Sequence, residues 1–593
     1  MVDLELRRIL EYREFFIDEE PIDIRASLKM FDRNMLIRMA AILSLHYGNI
    51  QTPDDQYSLF SRVSEKHIPR LKKLFDDYFD RLFNNRQHVV QISTFRTGLE
   101  LWRLIFSIRK EDYKGDVNES DIELLFFKVI LTINETLVSF RGEAKDFQKD
   151  ELLFLCGYLN NDSNDYDYNV VIRTQYYYFQ QLVDFIPTNE VMIKAQKVLF
   201  DKWRIDSWQQ YFVTLFLLTK ETEDYKQQKQ DGVPIISVDK LIENDQTGFF
   251  SKTLIDSLSI KEDEYISYEN DNDKECNVDY RRFRAKPFVK LNTGGYVVIN
   301  NQFLCERLYN SLYFDFMPLI NGRKDSVGFF DFNKDFTEKV LFRNIFFGCI
   351  PKDFYTFPSR EDVIKKEKSH EPDFYVRTRK GELILVECKA IKMNGICRDR
   401  GDYRRLLDEL HEKIILKTRN LDSRRTPYNG NPMPIGIGQL IHHIDSIEAY
   451  TFQWDDAIPD QVVYYPVLVF EDVRFFRPGL LSLINRWFYE EIKKCDELNL
   501  LEIECMPVMV LSINTIYLYG DYIRCNGLTQ LIDRFLNEVA VYDKTTGQYL
   551  FKTVCECFDG YLRRNHFDKS KETAKMVERF LKQVNCNAKC IDK

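Results

Sequence analysis

Asp373, Glu387 and Lys389 are the residues of this chain whose types and spacing could do chemistry. Asp373 heads the run Phe374-Tyr375-Val376, and Glu387-Cys388-Lys389 closes the run Leu383-Ile384-Leu385-Val386. Side chains alternate faces along a strand, so Glu387 and Lys389 point the same way. Lys380-Gly381 between the two runs predicts a hairpin turn that brings Asp373 beside Glu387. Two carboxylates and an ammonium on one sheet face can hold a hard divalent cation next to a phosphate. Phosphodiester hydrolysis needs a nucleophile made from water and a sink for charge at phosphorus. A carboxylate-held Mg²⁺ lowers the pKa of its water, and Lys389 can meet the developing negative charge. The plainer alternative is a cross-strand salt bridge. Against it, Ile384, Leu385 and Val386 mark a buried strand, where unpaired charge is expensive.

The elements that must position these residues can be read from hydrophobic patterning. A helix starting near Asn333 sets Glu338 on one face with Leu341, Phe342 and Ile345, by i+3, i+4 and i+7 spacing. Strands are predicted at 355–357, 462–470 and 507–513, a charged helix near 402–420, and another helix at 435–450. In that last helix Gln439, His442, His443 and Ser446 read as a polar stripe and Leu440, Ile441, Ile444 and Ile447 as the apolar side. The stripe faces either a cleft or solvent. Helix alternating with strand gives an α/β core with a mixed sheet.

With 593 residues the chain exceeds one domain. Residues 1–225 read as a helical domain with apolar spacing in Leu71-Leu74-Phe75-Tyr78-Phe79-Leu82 and a capped start at Asn118-Glu119-Ser120-Asp121. Residues 226–285 are polar and acidic and read as a junction. Residues 286–520 hold the candidate site, beginning with a hairpin about Asn292-Thr293-Gly294-Gly295, and 521–593 read as a helical C-terminal extension.

Helical Glu338, the strand pair bearing Pro372-Asp373 and Glu387-Cys388-Lys389, then helical Gln439: this order resembles the PD-(D/E)xK nuclease superfamily, over roughly residues 330–475. The resemblance implies a restriction-endonuclease-like core. It implies that Asp373 and Glu387 bind Mg²⁺, with Mn²⁺ able to substitute, that the Cys388 carbonyl adds a ligand, and that Glu338 assists the metal. Lys389 would stabilise the attacking hydroxide, and Gln439 would position nucleophile or substrate. DNA is the expected substrate over RNA, and the large flanking domain looks like those of nucleases in bacterial antiphage defence, an analogy at the level of fold. A catalytically silent nucleic-acid-binding or assembly subunit, and a repair, recombination or mobile-element endonuclease, are the alternatives.

A net charge of −10 argues against indiscriminate coating of nucleic acid. Locally the balance inverts: from Lys389 to Arg425 there are 11 Lys or Arg against 6 Asp or Glu. Lys392, Arg398, Arg400, Arg404 and Arg405 are therefore candidates to grip a phosphate backbone. No apolar run is long enough for a membrane helix, the start of the sequence lacks a signal-peptide pattern, and the 13 cysteines show no disulfide spacing, so a reducing cytoplasm is expected. The helical first domain is the expected surface for a protein partner or for self-association. Cys555, Cys557, His566, Cys586 and Cys590 lack a usual zinc spacing, and no phosphate-binding glycine loop is present.

Overall fold

The protein is described here from a computed structural model, over residues 8–46, 69–84, 90–137, 146–160, 168–227, 235–245, 248–267, 280–320, 331–350, 355–356, 372–393, 395, 402–417, 433–452, 454–455, 457–495, 498–565 and 575. It is a mixed α/β protein rich in helix. The chain forms two compact units. Unit 1 comprises residues 1–141, 160–321 and 577–593, and unit 2 comprises 142–159 and 322–576.

Unit 1 is mainly helical. Its helices bury the stripes that periodicity predicts: Leu71, Phe75, Tyr78 and Phe79 are all inside on helix Pro69–Asn84. One polar network inside this core is fully paired. The Thr97 hydroxyl donates to Asn134 Oδ1 at 2.7 Å, and Asn134 Nδ2 reaches the carbonyls of Leu10 and Ile92, each at 2.8 Å. The hairpin about Gly294 forms as Phe288–Lys290 against Tyr296–Val298, with Ser259–Lys261 added in parallel.

Unit 2 is built on a six-stranded mixed sheet. Its strands are β1 (Tyr355–Thr356), β2 (Phe374–Thr378), β3 (Glu382–Lys389), β4 (Val463–Phe470), β5 (Glu504–Cys505) and β6 (Met509–Ser512). The order is β5-β4-β3-β2-β1, with β6 pairing β4. β3 runs antiparallel to β2 and parallel to β4 along its whole length. Both faces of β3 are covered, since Leu383, Ile384, Leu385 and Val386 are fully buried. This is why its apolar run is continuous rather than alternating. Between β5 and β6 the chain breaks from the ladder. The buried Asn485 side chain bridges the gap, donating to the Val508 carbonyl at 2.9 Å and accepting the Val508 N–H at 2.8 Å.

The division differs from the sequence expectation in two ways. Residues 226–285 are not only a junction: within them helices Val238–Asn244 and Lys252–Ser257 and strand Ser259–Lys261 belong to unit 1, as does 286–321. The acidic run at 270–273 lies outside the described residues. Second, helix Lys149–Asn160 packs into unit 2, although it lies within residues 1–225, expected as one helical domain. Asp150 and Glu151 bind Arg486, at 3.2 and 2.8 Å, and Tyr158 stacks on Phe475 with ring centroids 5.4 Å apart. Gly479 lies so close beneath this helix that a Cβ would meet the Asp150 carbonyl at 2.2 Å. The extension after 521, expected to be helical, is so only in part: helices Leu528–Val539 and Phe558–Arg564 are separated by a hairpin, Ala540–Asp543 with Gln548–Phe551. Among the described residues no helix is long and apolar enough to cross a membrane.

Candidate active site

The hairpin between β2 and β3 sets the geometry. The Gly381 N–H donates to the Thr378 carbonyl at 3.2 Å, and Gly381 has φ +82°, the left-handed region that glycine favours. The register that follows pairs Phe374 with Val386, which brings Asp373 level with the next residues of β3. Asp373 Oδ2 accepts the Cys388 N–H at 2.7 Å, which anchors the acid across the strands.

Glu387 and Lys389 share a face at the carboxyl end of β3, as alternation requires. Lys389 Nζ lies 2.9 Å from Glu387 Oε2 and 3.8 Å from Asp373 Oδ2. The Glu387 side chain is 0% exposed and that of Lys389 11%. The other Glu387 oxygen, Oε1, lies 3.1 Å from His443 Nε2. Glu338 joins from a π-helical stretch, Phe332–Phe342, that ordinary helical periodicity did not anticipate. Asn333 in this stretch donates from Nδ2 to the Ala390 carbonyl at 3.1 Å, tying it to the end of β3.

The electrostatics are those of three acids around one lysine. Burial pushes the Asp373 carboxyl up, and Glu387 and Glu338 add to the rise against the pull of Lys389. Burial likewise raises Glu338, against Lys389 and with Glu387 and Asp331, to about 7. Burial also works against Glu387, but Lys389 and His443 outweigh it and hold the carboxylate below its ordinary value. Lys389 is opposed by burial and held up by Glu387, Asp373 and Glu338. An ammonium held in its charged form cannot serve as a general base; it can donate to developing negative charge.

The donor set fits a hard divalent cation: carboxylate oxygens only, and more negative charge than one lysine balances. Among the described residues no three such side chains converge on a single point as they stand; the Lys389 ammonium occupies the space against Glu387 and Asp373.

Other expected residues are placed differently. Gln439 Oε1 accepts the Gly436 N–H at 2.9 Å and so caps its own helix, Ile437–Glu448. The Cys388 thiol is buried, and burial raises its pKa; its N–H is the group that engages Asp373. Lys392 is paired with Glu471 at 2.9 Å. Arg404 and Arg405 are exposed on helix Tyr403–Ile414, the Arg404 guanidinium 4.8 Å over the Phe147 ring. Arg398 and Arg400, like His566, Cys586 and Cys590, lie outside the described residues.

His443 is the site residue that the sequence reading named on a polar stripe but gave no role. It shares the apolar side of its helix with Leu440 at i−3 and Ile447 at i+4, and is 1% exposed. Spacing alone places it there; grouping it by polarity with Gln439 and His442 put it on the wrong stripe, and His442 is indeed exposed. Comparison with protein-family models, with curated proteins and with solved structures finds no match to this chain.

Proposed function

We propose that unit 2 is a metal-dependent nuclease of the PD-(D/E)xK kind, hydrolysing phosphodiester bonds of DNA. The observation that carries this reading is the placement of Asp373, Glu387 and Lys389 at one end of a central buried strand, with Lys389 within 4 Å of both acids. Asp373, Glu387 and Glu338 would hold Mg²⁺ or Mn²⁺. When bound, such an ion supplies a water of lowered pKa and neutralises phosphate oxygens. Lys389 Nζ, held in its charged form, donates to negative charge gathering on the phosphate or its attacking oxygen. Arg404 and Arg405 lie on an exposed helix face where a phosphate backbone can be gripped.

The test is cleavage of linear and supercoiled DNA, and of RNA, by full-length protein with Mg²⁺, with Mn²⁺ and with chelator. Metal-dependent DNA cleavage lost in Lys389→Ala is the expected result; no cleavage of any substrate with either metal sinks the reading. A second reading has its own observation: both Glu387 oxygens are already engaged within the chain. The trio would then be a buried ion pair in a silent binding subunit, and the same experiment separates the two. The antiphage setting rests on resemblance. It predicts that wild-type protein, and not Lys389→Ala, protects cells from phage.

A further inference from the structure

We infer that His443 is a positioning residue: by donating its Nε2–H to Glu387 Oε1 it fixes the carboxylate so that Oε2 is the oxygen offered on the Lys389 and Asp373 side. The inference rests on the nuclease reading and deepens it.

The chemistry of the pair sets the direction of the bond. Glu387 sits 2.9 Å from an ammonium and has 0% side-chain exposure, so it is a carboxylate and can only accept. The proton between Oε1 and Nε2 therefore belongs to the imidazole. A carboxylate free to turn about its last torsion presents either oxygen, since that torsion is broad and nearly two-fold. With Oε1 held at 3.1 Å by His443, Oε2 is left for whatever lies toward Asp373.

His443 is itself held from several sides. Its helix runs across β3 and β4, with Leu440, Ile444 and Ile447 buried beside it. At the start of that helix, the Gly438 Cα approaches the Ile415 carbonyl so closely that a Cβ would lie 2.3 Å from the oxygen. The Phe452 ring stands edge-on to the imidazole, centroids 6.3 Å apart at 77°. The Ser446 hydroxyl donates to the His443 carbonyl at 2.8 Å. A buried imidazole serving only to satisfy the core would need some acceptor. This one has taken an oxygen of a candidate metal ligand, the arrangement by which outer-shell residues orient ligands and tune affinity.

The test is Mn²⁺ binding to full-length protein, followed by electron paramagnetic resonance without nucleic acid. His443→Gln carries an N–H about as far as Nε2, while His443→Asn falls one methylene short and His443→Leu fills the space without a donor. Glu387→Gln serves as the reference for loss of the site. The Asn and Leu variants should bind Mn²⁺ about 10–100-fold more weakly than wild type, and the Gln variant should stay within a few-fold of it. In cleavage, the Asn variant should lose kcat at limiting Mn²⁺, recover at high Mn²⁺, and keep the wild-type KM for DNA. Affinities unchanged in all three variants, or lost equally in Gln and Asn, overturn the inference while leaving the nuclease reading in place. A wild-type protein with no Mn²⁺ site that Glu387→Gln removes overturns both.

Discussion

Lys389 and Asp373 are both expected to be essential for cleavage, yet their removal should differ in stability. Lys389→Ala leaves a fully buried Glu387 with His443 as its remaining partner. Stranding a buried charge in this way costs about 3–5 kcal/mol. Asp373 is 23% exposed and mainly satisfies the Cys388 N–H, so Asp373→Ala costs about 1–2 kcal/mol. Urea unfolding of the two variants should separate them clearly; equal losses would mean that Glu387 is not charged in the folded protein. Glu338 makes a second prediction. Its carboxyl is raised in the fold from the ordinary 4.5 to about 7. Between those values the native protein binds more protons than the unfolded chain. The contribution is thus fully present below pH 4.5 and lost as pH rises through about 7. Glu338→Gln should remove this part of the stability–pH profile. If Glu338 lies at the cation, Mg²⁺ added near pH 6 should release protons, which calorimetry in buffers of different ionisation heat will detect. Mg²⁺ binding without proton release would take Glu338 out of the site.

Among the elements, the hairpin of β2 and β3 was the most legible from sequence, because a short-range turn and two apolar runs fix its register locally. The helix carrying His443 was legible as a helix but not in its role. The partner of His443 lies 56 residues away, and no local pattern reports it. Gln439 shows the reverse: it stands three residues after Gly436, and that local relation accounts for its bond, whereas resemblance assigned it to chemistry. The π-helical stretch holding Glu338 was not legible either, since its spacing departs from 3.6 residues per turn. Gly438→Ala should force the His443 helix away from the Ile415 carbonyl, costing about 1–3 kcal/mol and lowering cleavage out of proportion to stability. On helix Tyr403–Ile414, joint replacement of Arg404 and Arg405 by Ala should flatten the slope of log K against log salt by about 1.4–1.8. An unchanged slope would make this face a solvated one.

Across the whole molecule, the boundary between units is not a single point in the sequence. A fragment beginning near residue 280 carries 286–321, which folds with unit 1, and lacks 142–159, which folds with unit 2. It would expose Phe475 where Tyr158 stacks and leave Arg486 without Asp150 and Glu151. Such a fragment should aggregate or melt well below the full-length protein. A 322–576 fragment should regain stability when a peptide spanning 142–160 is added, read as a rise in melting temperature that saturates with peptide. No rise would mean that this helix is dispensable to unit 2. Nothing local could have announced this arrangement, because the Arg486–Asp150 pair spans 336 residues.

The same threading orders events during synthesis. Helix Lys149–Asn160 leaves the ribosome about 160 residues before the rest of unit 2 begins to emerge. At 5–20 residues per second that is a wait of about 8–30 s. Through it, the rings of Phe154 and Tyr158 have no Phe475 to stack on. β6, the last strand of the sheet, ends at Ser512, later still. The nascent chain must therefore hold an unmatched apolar helix while residues 160–321 of unit 1 are made, and the candidate site can be assembled only after His443 has emerged.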